Sequence, residues 1–282
     1  METVMSDIRV TVLVENTVYQ RGLRAEHGLA LWIETNDKKI LFDTGQSDLL
    51  LHNAKILGID IAEADAIVLS HGHYDHVGGL NRVLDLAPKA RVCLHPMTLE
   101  PKFSFSNGSS RDAGITSALR DKLRGRIECG QGAFTTDKTS VFPGVTVTGQ
   151  IPRVSGFEDT GGQFFLDTKG ETPDELLDDQ ALLLDSENGF VVVLGCAHAG
   201  VVNTLEHIQQ IEPDKNVYAV LGGMHLVNAS QTRVQKTIDA LRRLDIDKIG
   251  PAHCTGQPAA RQLWNSLGDR CFLCCAGRQV SF

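Results

Sequence analysis

The stretch that decides the fold is Val68-Leu69-Ser70-His71-Gly72-His73-Tyr74-Asp75-His76-Val77-Gly78-Gly79. Three histidines and an aspartate fall within six residues, after an apolar strand and before a predicted helix. Imidazole and carboxylate groups are good ligands for zinc, iron and manganese. Side chains two residues apart on an extended segment point the same way, so His71 and His73 can bind one ion, and Asp75 and His76 can face a second. We therefore predict a metal site rather than a polar surface loop.

Further ligand-type residues follow strands in the second half of the chain. Cys196 and His198 come after an apolar strand, and His225 and His253 each come after another. In α/β folds, sites assemble beyond the carboxyl ends of strands, so these side chains are expected to converge on one edge. We predict that His198 and His253 join the site. For His225 three roles are open: metal ligand, acid–base or substrate-orienting group, and structural histidine.

Composition excludes several classes of function. The chain has 282 residues with a net charge of −8, and 42% of them are hydrophobic. Such a balance indicates a globular protein, and the excess of acid disfavours nucleic acid as a partner. No apolar run approaches the ~20 residues that span a bilayer, and the acidic segment 1–7 does not resemble a signal peptide. We expect a cytoplasmic protein with a small-molecule substrate, no nucleic-acid or membrane partner, and no indication of oligomeric state.

Hydrophobic patterning predicts two similar halves in a single domain, about 1–140 and 141–282. Each half runs from β-hairpins into strand–helix alternation, which favours two sheets packed face to face with helices outside. Within this pattern we expect a helix over Val77–Leu86 and one strand over Val141–Val147. Residues 101–140 are read as an insertion or lid-like region.

The seven cysteines are an odd number, and we expect them to be reduced thiols. Cys271, Cys274 and Cys275 form a C-x-x-C-C cluster, which has the spacing of half a zinc site, but the sequence has no second C-x-x-C pair. We favour a buried apolar C-terminal strand, in which cysteine acts as a small hydrophobe, over a metal or redox site.

These motifs resemble the metallo-β-lactamase superfamily. Ser70 to His76 matches its H-x-H-x-D-H signature, Asp43-Thr44-Gly45 its strand-ending D-T-G, and Pro251-Ala252-His253 its final histidine. The resemblance implies an α/β fold of the αββα sandwich type, two mixed β-sheets with helices on both outer faces and one or two metal ions between the sheets. Within the superfamily the chain is similar to a branch of 7,8-dihydropterin-6-methyl-4-(β-D-ribofuranosyl)aminobenzene-5′-phosphate synthases and metal-dependent hydrolases.

The resemblance also implies roles for individual residues. One ion would be held by His71, His73 and His198, and the other by Asp75, His76 and His253. Cys196 stands where most hydrolases of the superfamily carry a bridging aspartate, so it is a candidate metal or pocket residue. Since both ions are then supplied, His225 is expected to face substrate as a catalytic residue. The remaining candidates are Asp43 as acceptor for a ligand imidazole, Arg153 as a substrate-binding cation, His95 as a metal or pocket residue unless it is structural, and His27 as a surface residue.

The function implied is hydrolysis of a small anionic metabolite, phosphorylated or pterin-like, by a metal-bound hydroxide. Asp75 would hold the second ion or orient the hydroxide. Zinc is the expected cofactor, as one or two ions, with iron or manganese as alternatives. A transferase of the dihydropterin–arylamine synthase type is the first alternative function, with the metal binding a pyrophosphate leaving group. A di-iron redox centre is the second.

Overall fold

Strands and short helices alternate along the chain in this computed structural model, which describes residues 7–35, 37–106 and 108–282. The strands are β1 (Arg9–Val14), β2 (Ala30–Glu34), β3 (Lys39–Phe42), β4 (Ala66–Val68), β5 (Arg91–Leu94), β6 (Phe103–Ser106), β7 (Ser109–Asp112), β8 (Gly132–Phe134), β9 (Thr139–Phe142), β10 (Val145–Val147), β11 (Gln163–Phe165), β12 (Leu182–Ser186), β13 (Gly189–Leu194), β14 (Val217–Gly223), β15 (Lys248–Ala252) and β16 (Gln279–Ser281). The helices are α1 (Leu49–Leu57), α2 (Tyr74–Val77), α3 (Leu80–Leu86), α4 (Ser117–Glu128), α5 (Val201–Ile211), α6 (Gln231–Arg243) and α7 (Gln257–Leu267). Segment 1–6, which includes most of the acidic N-terminal stretch, lies outside the described residues.

Two mixed sheets form the body of the protein. The first has the strand order β16-β1-β2-β3-β4-β5-β8 and the second β15-β14-β13-β12-β10-β9. Each sheet has antiparallel neighbours on one side and parallel neighbours on the other. Parallel neighbours need crossover connections, which the helices provide.

Side chains alternate between two apolar layers along each strand. In β2, Leu31 and Ile33 face the layer between the sheets, and Trp32 faces α1 and α3 on the outside. In β13, Val191 faces the inner layer and Val192 faces α5 and α6. Because both faces of each sheet are covered, the strands are apolar on both sides. This arrangement confirms the predicted αββα sandwich.

The predicted helix over Val77–Leu86 is confirmed over Leu80–Leu86, but its start is wrong, because a break separates two helices there. α2 ends at Val77, and α3 begins at Leu80. The N–H of Gly78 donates to the carbonyl of Gly45 at 2.9 Å instead of continuing one helix. A β-carbon at Gly78 would lie 2.1 Å from the carbonyl oxygen of Gln46. Glycine at this position therefore lets the D-T-G segment pack closely against the start of these helices.

Two other predictions need correction. Val141–Val147 is a hairpin, since β9 and β10 are joined by a turn at Gly144, whose φ is +76°. Cys271, Cys274 and Cys275 are buried as expected, but they lie in an irregular segment rather than a strand. β16 follows that segment and pairs with β1, so the chain returns to the first sheet.

The 101–140 region is divided among three sheets. β6 pairs with both β7 and the remote β11 in a small separate sheet, β8 joins the first sheet, and β9 joins the second. We call the β11-β6-β7 sheet the flap sheet. Its strands were not predicted, because they are short and partly or fully exposed. None of the described helices combines the length and apolar character that spanning a membrane requires.

Candidate metal centre

The loop between β4 and α2 is held by Asp43 at the end of β3. The carboxylate of Asp43 accepts from the N–H and the hydroxyl of Ser70, at 2.8 and 2.6 Å. Asp43 itself adopts a left-handed φ of +57°, which turns the chain beneath the loop. The same carboxylate lies 2.7 Å from His76 Nδ1, the type of contact expected of Asp43 from the sequence.

Three imidazoles converge to form the first donor set. His71 Nε2 lies 3.1 Å from His73 Nδ1, which lies 3.1 Å from His198 Nε2. All three side chains are buried. His198 reaches this point from the turn after β13, across the interface between the two sheets.

Hydrogen bonds on the far side of two of these rings fix which nitrogen carries the proton. The hydroxyl of Ser70 donates its proton to Asp43. The Ser70 oxygen lies 2.9 Å from His71 Nδ1 and can only accept there, so His71 Nδ1 must be the donor. His198 Nδ1 donates to the carbonyl of Thr160 at 2.9 Å. Both Nε2 atoms therefore present lone pairs toward His73.

A second donor set lies beside the first. His76 Nε2 is 3.2 Å from His253 Nε2 and 3.2 Å from Cys196 Sγ. The carboxylate of Asp75 lies 3.3 Å from His253 Nε2. These four donor atoms all lie within 4.8 Å of one another.

The second set shows the same pattern of outward donation and inward lone pairs. His76 Nδ1 donates to Asp43, and His253 Nδ1 donates to the amide oxygen of Asn16 at 2.9 Å. In the neutral imidazoles that metal binding requires, the facing Nε2 atoms are then acceptors only. With His73 Nδ1 and His76 Nε2 deprotonated, each set turns its lone pairs toward one point, so both donor sets fit a metal ion.

Burial keeps the first set neutral, as metal ligation requires. It lowers the pKa of His71 and His198 well below the ordinary value and that of His73 to about 3. Burial also acts on His76, but the carboxylate of Asp43 outweighs it and raises the pKa of His76 to about 9. A cation in the second set would therefore displace a proton from His76.

The family model of the metallo-beta-lactamase superfamily matches residues 23–253. The chain belongs to the metallo-β-lactamase superfamily.

Two relatives from one organism and one crystal structure are similar to the chain over most of its length. The chain is 30% identical to the 7,8-dihydropterin-6-methyl-4-(β-D-ribofuranosyl)-aminobenzene-5′-phosphate synthase of Methanocaldococcus jannaschii, over 99% of this chain and 98% of the relative. It is 33% identical to an uncharacterised protein of the same organism, over 90% and 93% of the two chains. A crystal structure described as a metal-dependent hydrolase of the β-lactamase superfamily matches with a TM-score of 0.81 and 30% identity, over 97% of this chain and 98% of that one.

His225 lies beside both donor sets without belonging to either. Its ring centre is 4.3 Å from that of His198, and its Nδ1 is buried with no hydrogen-bond partner among the described residues. A donor atom of His225 also lies within 4.8 Å of the Cys196 and Cys254 sulfurs. The structure thus brings His225 to the pocket and adds Cys254, which the sequence analysis did not assign.

Two predicted residues lie elsewhere. His95 caps a 3₁₀ turn, because its Nδ1 accepts from the N–H of Met97 at 3.2 Å. Arg153 pairs with Glu175 at 2.7 Å. Neither is among the described residues that line the metal pocket, so His95 as a metal or pocket residue and Arg153 as a pocket cation are corrected.

The pocket over the two donor sets has a volume of about 350 Å³. His27, predicted as a surface residue, is half exposed, but it lines this pocket and its Nε2 lies 3.2 Å from the carboxylate of Asp75. Its position beside the final histidine, with ring centres 4.9 Å apart, had no signal in the spacing of the sequence. Other lining residues missed from the sequence are Asn16, Tyr74, Ser104, Arg111, Phe164 and Val227.

A buried ionic cluster supports the loop from behind. Lys102 is fully buried, with its ammonium 2.8 Å from Asp174 and 3.0 Å from Asp178. The other oxygen of Asp178 accepts from the N–H of Gly72, between the two histidines of the first set, at 2.8 Å. A β-carbon at Gly72 would lie 2.9 Å from the Lys102 side chain, so only glycine fits there.

Proposed function

We propose that the protein is a two-metal hydrolase that acts on a small anionic metabolite. The observation that carries this proposal is the pair of adjacent donor sets, whose inward-facing lone pairs share one pocket. Metal ions bound there would polarise a carbonyl or phosphoryl oxygen and make water nucleophilic at neutral pH. We also propose that the substrate is a small molecule and that the protein is cytoplasmic.

The side chains of the protein prepare the site for this chemistry. Asp43 orients His76 directly and His71 through Ser70, and Asn16 orients His253. Such contacts hold the rings in position and fix their tautomers. The ring of Phe164 lies 4.7 Å from that of His73 and limits access of water to the first set.

We propose zinc as the metal. The second set combines imidazole, carboxylate and thiol donors, and a thiolate favours zinc over manganese. Iron is the alternative, because the two histidines and the carboxylate of the second set also suit it.

A transferase is the second candidate, and the relative in Methanocaldococcus jannaschii named as a synthase favours it. In that reaction an arylamine nitrogen would form a bond to the methylene carbon of a dihydropterin. The bond from that carbon to a diphosphate would break, pyrophosphate would leave, and the nitrogen would lose a proton. His225 would then be placed to receive that proton.

One experiment separates the two reactions. The zinc-loaded protein is incubated in ¹⁸O-water with a dihydropterin methyl diphosphate, with and without an arylamine. Hydrolysis puts ¹⁸O into a product irrespective of the amine, whereas transfer yields a carbon–nitrogen product only when the amine is present. A parallel screen of phosphoesters and lactones covers other hydrolase substrates. Fewer than one zinc per chain by elemental analysis, with no turnover in either assay, would contradict both proposals.

A further inference from the structure

The flap sheet places three side chains in one line above the metal pocket. Phe164 of β11 lies directly opposite Ser104 of β6, and Ser104 lies directly opposite Arg111 of β7. Directly opposed residues of neighbouring antiparallel strands project from the same face of a sheet. All three line the pocket, so this row forms its ceiling.

The row changes in chemical character from one end to the other. Phe164 lies at the metal end, with its ring centre 4.7 Å from that of His73 and 5.3 Å from that of His198. Ser104 offers a hydroxyl in the middle. Arg111 lies at the far end, with its guanidinium 4.6 Å from the centre of the Tyr74 ring.

Arg111 lines the pocket and has no acidic partner among the described residues, unlike several other arginines of the chain. Arg9, Arg153, Arg233, Arg243 and Arg270 each pair with a carboxylate. Within residues 7–35, 37–106 and 108–282, no carboxylate lies within 4.0 Å of the Arg111 guanidinium. Its charge is held by an aromatic ring and faces the pocket, where an incoming oxyanion would find it available.

We infer that Arg111 is a specificity-determining residue that binds an oxyanion of the substrate, a phosphate or a carboxylate remote from the reacting bond. Neighbouring strands are about 4.8 Å apart, so Arg111 lies about 10 Å across the flap sheet from Phe164. The substrate class is therefore a flat, ring-containing molecule that stacks on Phe164 near the metal donors and carries an anion at its other end. A planar guanidinium suits such an anion because it donates two parallel hydrogen bonds. This inference rests on the proposed function, since it places the reacting end at the donor sets.

Matched ligands test this role without turnover. 2-Naphthohydroxamic acid chelates metal through its hydroxamate and carries a flat ring, and its 6-carboxy and 6-phosphono analogues add a remote anion. Calorimetric titration of the zinc-loaded protein gives the affinity ratio of each anionic probe to the neutral one. We expect a ratio of about ten for wild type, about one for Arg111→Gln and an intermediate value for Arg111→Lys. Arg153→Gln, which removes an arginine already paired outside the pocket, should keep the wild-type ratio.

Two results of these titrations would overturn the inference. An unchanged ratio in Arg111→Gln, with the affinities of both probes also unchanged, would show that the anion binds elsewhere. Equal weakening of the neutral and anionic probes would show that Arg111 only supports the flap sheet. The larger of the carboxylate and phosphonate ratios identifies the anion of the substrate. Absence of hydrolysis would refute the proposed function but leave the ratio intact.

Discussion

Replacing Lys102 with methionine should destabilise the protein strongly, because it leaves two buried carboxylates without their cation. Lys102 is fully buried between Asp174 and Asp178. Removing one partner of a buried ion pair costs about 3–5 kcal/mol of unfolding free energy. At about 2.1 cal/mol/K per residue, the unfolding entropy of 282 residues is about 0.6 kcal/mol/K, so the melting temperature should fall by about 5–8 °C.

The matched control is Lys122→Met, which breaks an exposed pair with Asp85 at 2.6 Å. Because water solvates both partners there, the melting temperature should change by less than about 2 °C. Differential scanning calorimetry of the metal-free proteins measures both shifts. Equal shifts for the two variants would refute the argument that burial of Lys102 makes the difference.

The cost of Lys102→Met should also depend on pH. Burial alone would raise the pKa of Asp178, but Lys102 outweighs it and holds that pKa below its ordinary value. A depressed carboxylate pKa contributes stability above the unfolded pKa of about 3.9, and this contribution is lost as the pH falls through the folded pKa. The gap between wild type and Lys102→Met should therefore be largest near neutral pH and shrink below about pH 4. A gap that widens in acid would contradict the assigned charges.

The remaining predictions concern the site. The double variant His71→Ala/His73→Ala should lose the metal of the first donor set, and full metal content by elemental analysis would disprove that set. Cys196→Ser should lower metal stoichiometry or activity, whereas Cys274→Ser should lower only the melting temperature; equal metal loss in both would exclude a special role for Cys196. His225→Ala should keep nearly all metal but lower turnover by ~10²–10⁴, the range for losing a positioned acid–base group, and metal loss as its main effect would make it a ligand.

The fold could be predicted where apolar periodicity and turn residues agree. α5 (Val201–Ile211) follows Gly200 and has apolar residues at helical spacing, and β13 (Gly189–Leu194) is an apolar run that follows a polar turn, so both elements can be read from local pattern. The flap sheet could not be predicted in the same way. Its strands have three or four residues, and the pairing of β11 with β6 joins segments about sixty residues apart. No local pattern encodes such a pairing.

The site was predictable to the extent that its residues follow strand ends. The H-x-H-x-D-H motif and His198 and His253 all do so, and the structure brings them together. Asn16 and Lys102 were missed because they lie in polar segments without a recognisable spacing. Arg153 was wrongly chosen as a pocket cation because sequence alone does not show which arginine already has a carboxylate partner.

The second donor set is assembled from distant parts of the chain, and this affects the order in which the site forms during folding. Asn16 and His253, which form one hydrogen bond, lie near opposite ends of the chain, and Glu15 accepts from the N–H of His253 at 2.8 Å. Closing so long a loop is entropically costly, so this part of the site forms after local structure is in place. A nascent chain can complete the first donor set once His198 has been synthesised, but the second only after His253. Metal availability would then act late in maturation, because ions that bind only the folded chain add about 2.7 kcal/mol of stability at a hundredfold excess over Kd.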